Sequence, residues 1–182
     1  MEQTLDAVEA RLLGCLMEKE RTTPEYYPLT LNALTRACCQ KSNRNPVMEL
    51  SEETVVRVLD RLLDKKLGRR VISDDSRVPK YRHTFDEVFS AGKPEMAAIC
   101  VLLLRGPQTV GEIRGRSERL HAFESLQETE DTLERLSALP DGPLVTRLPR
   151  QPGTKESRYA HLLCGEVAQE EIDIREPAAL KV

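Results

Sequence analysis

The stretch VPKYRHTF, Val78 to Phe85, carries a Tyr and a His two positions apart, and the same pair returns in ESRYAHLL, Glu156 to Leu163, as Tyr159 and His161. Each stretch reads as the second strand of a hairpin. RRVIS and the polar turn SDDSR precede the first, and PLVTRLPR with the turn QPGT precedes the second. Residues two apart on a strand share a face. Tyr81 and His83 therefore oppose Lys80 and Arg82, and Tyr159 and His161 oppose Arg158 and Ala160. Two readings stand: the Tyr and His pack beneath each hairpin with their polar ends hydrogen-bonded, or the basic partners Lys80, Arg82 and Arg158 meet a ligand. Ala160 in the place of Arg82 weakens the second reading for the second hairpin.

Working outward, each hairpin is preceded by three helical patterns. TLDAVEARLLGCLMEKE places Leu5, Val8, Leu12, Cys15 and Leu16 on one stripe. Thr30 is a candidate N-cap for LNALTRACCQK, and Ser51 caps a third helix with Val55, Val58, Leu59 and Leu62 inward. Gly68 stops it. In the second half, Pro94 opens a helix with Met96, Ile99, Cys100 and Leu103 on one stripe, and Gly106 and Pro107 end it. Thr109 with Glu112 has the form of a capping box for VGEIRGRSERL. Ser125 with Glu128 repeats that form for a helix with Leu126, Thr129, Leu133 and Leu136 inward.

The order helix, helix, helix, strand, hairpin, strand thus occurs twice, as an internal duplication predicts. It is the winged-helix arrangement, a variant of the helix-turn-helix. The expected architecture is mainly α with small β-hairpins, an α+β chain of two tandem winged-helix domains. Domain 1 covers residues 1–84, a linker 85–94, domain 2 residues 95–164, and an acidic, mobile tail 165–182.

Composition fits this. The 182 residues are 40% hydrophobic and 31% charged, with no Trp. The opening MEQTLDAVEARLLGCLMEKE is acidic and amphipathic where a secretory signal is basic and then apolar, and no apolar run approaches the roughly 18 to 20 residues of a membrane helix. A cytoplasmic protein without membrane contact is the expectation. The five Cys, an odd number without C-x-x-C spacing, read as reduced thiols.

The motifs LTLNALTRACCQKSNRNPVMELSEETV (Leu29 to Val55), RVPKYRH, LLLRGPQTVGEIR (Leu102 to Arg114) and RLPRQPGTKESRYAHLL together resemble the YceH family of bacterial proteins, over about residues 5 to 164. The resemblance implies a bacterial protein of tandem winged helices and carries no established biochemical function.

A winged helix reads DNA by laying its third helix in the major groove, with the wing on phosphate. At about 100° per residue, the outward face of the first such helix shows Glu53, Arg57, Asp60, Arg61 and Asp64. The second shows Glu128, Asp131, Glu134 and Arg135. Such acidic faces are repelled by duplex DNA, whose phosphates supply most non-specific affinity. Other bases keep the DNA reading open: Arg36, Lys41 and Arg44 beside Asn43 and Asn45 near the turn before the third helix, and Arg150 and Lys155 at the tip of the second wing. Two classes therefore stand. One is a DNA-associated or transcription-regulatory protein, on the strength of the fold. The other is an adaptor that uses tandem winged helices as the chromosome-segregation protein ScpB does, with the acidic faces meeting a basic partner or a second copy. Nothing supports catalysis: the three His are dispersed, and neither GxGxxG nor a P-loop occurs. No cofactor and no metal site is expected.

Overall fold

The computed structural model describes residues 4–167. Most of the expected tail, residues 168–182, lies outside the described residues. The chain is a mixed α+β fold. Its first half runs α1 (Ala7–Thr22), a single 3-10 turn (Pro24–Tyr26), β1 (Leu29–Thr30), α2 (Leu31–Cys38), α3 (Glu52–Asp64), β2 (Gly68–Ser73) and β3 (Ser76–His83). A short helix, α4 (Phe85–Phe89), leads to the second half: α5 (Lys93–Arg105), α6 (Val110–Arg116), α7 (Leu126–Ser137), β4 (Val145–Arg147) and β5 (Tyr159–His161).

Local chemistry explains the boundaries. Asp6 closes a capping box with Glu9 at the start of α1, and Thr109 does the same with Glu112 at α6. Thr30, Ser51 and Ser125 each accept the backbone N–H three residues on, which satisfies one of the free donors of a helix start. At α7 the second arm of the expected box is missing. The Glu128 carboxylate instead accepts from the Glu124 N–H, 2.7 Å, and meets His121, 3.0 Å. Gly106, at φ 78°, ends α5 in a conformation that glycine tolerates best.

The sheets carry the repeated Tyr and His at matching places. In the first, the order is β1-β3-β2, all antiparallel, with Leu29 opposite Tyr81 and Gly68 opposite His83. In the second, β4 pairs with β5 and puts Val145 opposite His161, while an isolated bridge joins Gln108 to Tyr159. Leu29 and Gln108 each directly precede a capping Thr. The two Tyr thus meet equivalent segments between the first and second helix of each half.

Four expectations need correction. The stripes on α1 and α5 are not one-sided: every residue from Glu9 to Glu18 and from Ala97 to Leu104 is buried. The cause is that α1 and α5 pack along each other while α1 also carries α2 and α3 and α5 carries α7. The apolar residues of both halves therefore form one continuous core. Within it, fully buried Leu12, Leu13 and Leu16 each contribute about 2 kcal/mol. Second, Leu126 points outward, 52% exposed, and Thr132 takes its place on the inner face of α7. Third, α6 stops at Arg116 rather than reaching Leu120, because Gly111 and Gly115 weaken a short helix. The chain then turns, with the Leu120 and His121 N–H groups both donating to the Ser117 carbonyl. Fourth, the expected linker contains α4, whose Phe85 is fully buried with its ring 4.6 Å from that of Phe89.

Candidate functional site

The residues expected at a contact surface divide into those the fold uses internally and those it leaves outside. Residues 40–50, between α2 and α3, belong mainly to the first group. Arg44 is 6% exposed. Its guanidinium grips Glu18 of α1 with two parallel bonds, Nη1 to Oε2 at 3.0 Å and Nη2 to Oε1 at 2.8 Å, while Nε donates to the Ala37 carbonyl at 3.1 Å. Burial alone would raise the Glu18 carboxyl, but the hydrogen bonds and charge of Arg44 outweigh it and hold it below the usual carboxylate range. Burial likewise opposes the Arg44 charge, and Glu18 more than restores it. Arg44 is therefore an internal strut rather than a contact residue.

The neighbouring amides reach across to the second half. Asn43, at φ 58° in the left-handed region, accepts from Arg105 Nη2 through its side-chain oxygen. The Asn45 N–H donates to the Leu104 carbonyl, 2.9 Å. Asn43 and Asn45 thus pin the loop to the C-terminal end of α5. Two features nearby carry no sequence motif. Cys100 Sγ donates to the Gly14 carbonyl at 3.4 Å where α1 meets α5. A Cβ placed on Gly14 would lie 2.8 Å from Leu104 Cδ2 and 3.2 Å from Leu103 Cβ. A side chain there would have to displace Leu104 and would press on Leu103.

Several of the remaining bases are already paired. Arg61 Nη2 meets Asp6 at 2.9 Å. Arg82 and Arg69, opposite each other in the β2–β3 ladder, share the Glu87 carboxylate of α4 at 3.0 Å each. Arg158 Nη2 donates to Gln151 at 2.7 Å. Lys80 is half-buried beside β1. Arg36, Lys41, Arg57, Arg150 and Lys155 are exposed and make no ion pair among the described residues. Arg70 and Arg77 of the first hairpin join that group, although the sequence reading did not single them out. Strand register does not mark Arg70, which lies opposite Tyr81 on the face the pattern reads as inward.

The third-helix faces are as acidic as expected. On α3, Glu53, Asp60 and Asp64 are exposed and Arg57 is the one base without an ion pair among the described residues. On α7, Glu134 is exposed, Glu130 and Asp131 are half-exposed, and Arg135 Nη2 is held by Glu95 at 3.0 Å.

The repeated histidines differ. His83 is 1% exposed; Nε2 meets Glu20 at 3.0 Å and Nδ1 accepts the Phe85 N–H at 3.2 Å. The His83 N–H donates to the Tyr27 hydroxyl, 2.8 Å. That is the packed, satisfied arrangement read for the first hairpin. His161 Nδ1 has no hydrogen-bond partner, and burial pushes its pKa down to about 4. Among the described residues no group of three His, Cys, Asp or Glu is placed to hold a metal, and no helix is long and apolar enough to cross a membrane. Burial raises the Cys100 thiol well above its ordinary value, and a hydrogen bond donated to Cys15, followed by burial, raises that of Cys38. Both are poor nucleophiles.

Comparison with known sequences matches residues 5–154 to a family model described as "Protein of unknown function, DUF480". A UPF0502 protein of Geotalea uraniireducens is 58% identical over 166 residues, which cover 91% of this chain and 75% of the relative. UPF0502 proteins of Opitutus terrae and Geotalea daltonii are each 55% identical, over 96% and 100% of this chain and 74% and 84% of their own lengths.

Proposed function

This chain belongs to the DUF480 family, and we propose that it is a YceH-type, non-enzymatic protein of two tandem winged helices that acts as a rigid adaptor for a basic protein partner. The element order supports the winged-helix reading. Helix, short strand, helix, helix, strand, strand occurs in the first half, and the second repeats it with the Gln108 to Tyr159 bridge in place of the short strand. In this reading the domains are residues 1–84 and 95–164, joined by the segment containing α4, and the protein is cytoplasmic.

The observation that carries the adaptor role is the pairing of charges on the third helices. Each presents exposed acids, while Arg61 and Arg135 are turned to carboxylates of their own chain. A helix of that kind entering the major groove would bring carboxylates toward phosphates with little basic charge to offset them. A basic protein surface is complementary to it.

A second reading has its own support. Arg70 and Arg77 on the first hairpin and Arg150 and Lys155 on the second are exposed and without ion pairs among the described residues. They are the side chains through which a DNA-associated, transcription-regulatory role would act, by wing-to-phosphate contact.

The test sets the two against each other. Fluorescence polarisation with a mixed-sequence duplex across a salt series, on the wild-type chain and on a variant carrying Arg77→Glu, Arg150→Glu and Lys155→Glu, reports the DNA reading. The adaptor reading expects dissociation constants weaker than about 10 μM at physiological salt and little change in the variant. Micromolar or tighter binding that falls steeply with salt and is lost in the variant would overturn it. A photo-crosslinking residue at Glu134, introduced in cells, is expected to trap a discrete basic protein, and Asp131→Lys is expected to abolish the adduct.

A further inference from the structure

Where the two halves meet, a cleft of about 470 Å³ opens between the start of α1, the loop after α2, the end of α5 and β5. Its walls are largely apolar, with Leu103 and Leu148 among them, and Arg11, Arg158 and His161 contribute the polar groups. An apolar cleft between structural units, with a few converging polar side chains, is the usual form of a small-molecule site.

Two of those polar groups are unmatched. Arg11 is 2% exposed; Nη1 donates to the Cys38 carbonyl at 3.2 Å and Nη2 to the Pro46 carbonyl, but Nε has no acceptor. No carboxylate lies within ion-pair distance of Arg11 among the described residues. This contrasts with Arg44, equally deep, which has Glu18. A buried guanidinium bonded only to carbonyls keeps its charge uncompensated, and that is costly. His161, from β5, also lines the cleft, and its Nδ1 is buried without a partner. The titratable and charged groups around the cleft are Arg11, Arg158, His161, Cys164 and Glu166, so its interior carries more positive than negative charge. Arg11 Nε is buried, so Arg11 acts on a bound anion through charge, while His161 meets it as a hydrogen-bonding group and Arg158 stands on the cleft wall.

We propose that this cleft binds a small monocarboxylate with an apolar body, the carboxylate drawn to Arg11, Arg158 and His161 and the apolar part lying against Leu103 and Leu148. The anion supplies the counter-charge that Arg11 lacks. Because the walls come from both halves, occupancy braces the junction, and a metabolite of this class can thereby tune the rigidity on which an adaptor depends. The binding site stands on its own geometry and does not require the adaptor reading.

His161 is the reporter. With its ring neutral to about pH 4 because of burial, a carboxylate nearby favours the protonated form and moves its titration upward. The experiment follows the His161 ring by NMR through a pH titration, assigned with His161→Asn, with sodium benzoate as probe and benzamide as its neutral isostere. The expected result is a saturable response to benzoate in the millimolar range, an upward midpoint shift of at least one pH unit, and no response to benzamide. Arg11→Met is expected to remove the response. Since that variant can also perturb the fold, Ala7→Phe, at an exposed position on the cleft wall, serves as a plug and is expected to abolish the response with the fold intact. No saturable change at 10 mM benzoate, an equal response to benzamide, or an undiminished response in Ala7→Phe would each overturn the proposal.

Discussion

His83 and His161 occupy the same place in two sheets built from the same pattern, yet one is fully partnered and the other is not. His83 is closed in by Glu20 and Tyr27 of its own half and by the start of α4. His161 looks instead into the cleft that the other half walls on its far side. The connections between second and third helix differ in the same sense. In the first half the connection reaches out, held by the Arg44 to Glu18 pair, and grasps Arg105 and Leu104 of α5. In the second it is shorter: Arg114 of α6 donates to the Phe123 and Glu124 carbonyls, and Arg21 of α1 reaches over to donate to the Leu120 carbonyl at 3.3 Å. The first half bonds its own histidine fully and also reaches across the junction. The second half is completed by the first.

The largest effect should come from breaking the strut with no counterpart in the second half. Arg44→Met strips buried Glu18 of its two-bond partner and leaves it only Lys19 at 3.2 Å; it is expected to cost about 3 kcal/mol in urea unfolding, while Arg44→Met with Glu18→Gln should recover more than half of that. The corresponding change in the second half, Arg114→Met, removes only bonds to the Phe123 and Glu124 carbonyls and should cost about 1 kcal/mol.

Next comes the helix crossing. Gly14→Leu forces α1 and α5 apart against Leu103 and Leu104, and a loss of about 3 kcal/mol is expected, read by thermal unfolding. A substitution at exposed Gly111 of α6, where an added Cβ meets nothing within 4 Å, should stabilise instead: Gly111→Ala by about 0.5 to 1 kcal/mol.

The histidines give a smaller, pH-dependent contrast. His161 is held near pKa 4 by burial, below the value of about 6.5 in the unfolded chain. The unfolded state therefore takes up the proton first. Stability is complete above about pH 6.5 and declines as pH falls toward 4, by about 2 kcal/mol once the partial exposure of the ring is allowed for. Urea midpoints across this range should show the decline in the wild-type chain and a clearly shallower one in His161→Asn. Smallest of all, Glu87→Gln removes the exposed bridges to Arg69 and Arg82 and should change stability by no more than about 0.5 kcal/mol.

Much of this fold was legible because local signals govern it. The caps at Thr30, Ser51, Thr109 and Ser125, the inner stripe of α3 and the repeated Tyr and His all sit where short-range pattern places them. What escaped is long-range. No periodicity shows that a second helix will cover the polar side of α1, so Glu9, Arg11 and Glu18 read as solvated although they are buried. Arg44 and Glu18 are far apart in sequence, and an Arg beside Asn in a polar turn reads as a contact residue until its carboxylate is found. Gly14 did leave a signal, a lone glycine within a helical pattern, which often marks a close approach. The acidic third-helix faces were legible. The pairing of Arg61 with Asp6 and of Arg135 with Glu95, which occupies a base on each of those faces, was not.

The central claim is that the two halves are one cooperative body with its core across the α1 and α5 contact. The chain has no Trp, so single probes can be placed at will: Tyr81→Trp in the first sheet and, in a second variant, Phe123→Trp beside α6. Urea unfolding of each, followed by fluorescence and far-UV circular dichroism on the same sample, should give coincident midpoints and a single transition. Two steps in the dichroism, with each Trp following a different one, would contradict it and make the halves independent domains on a hinge.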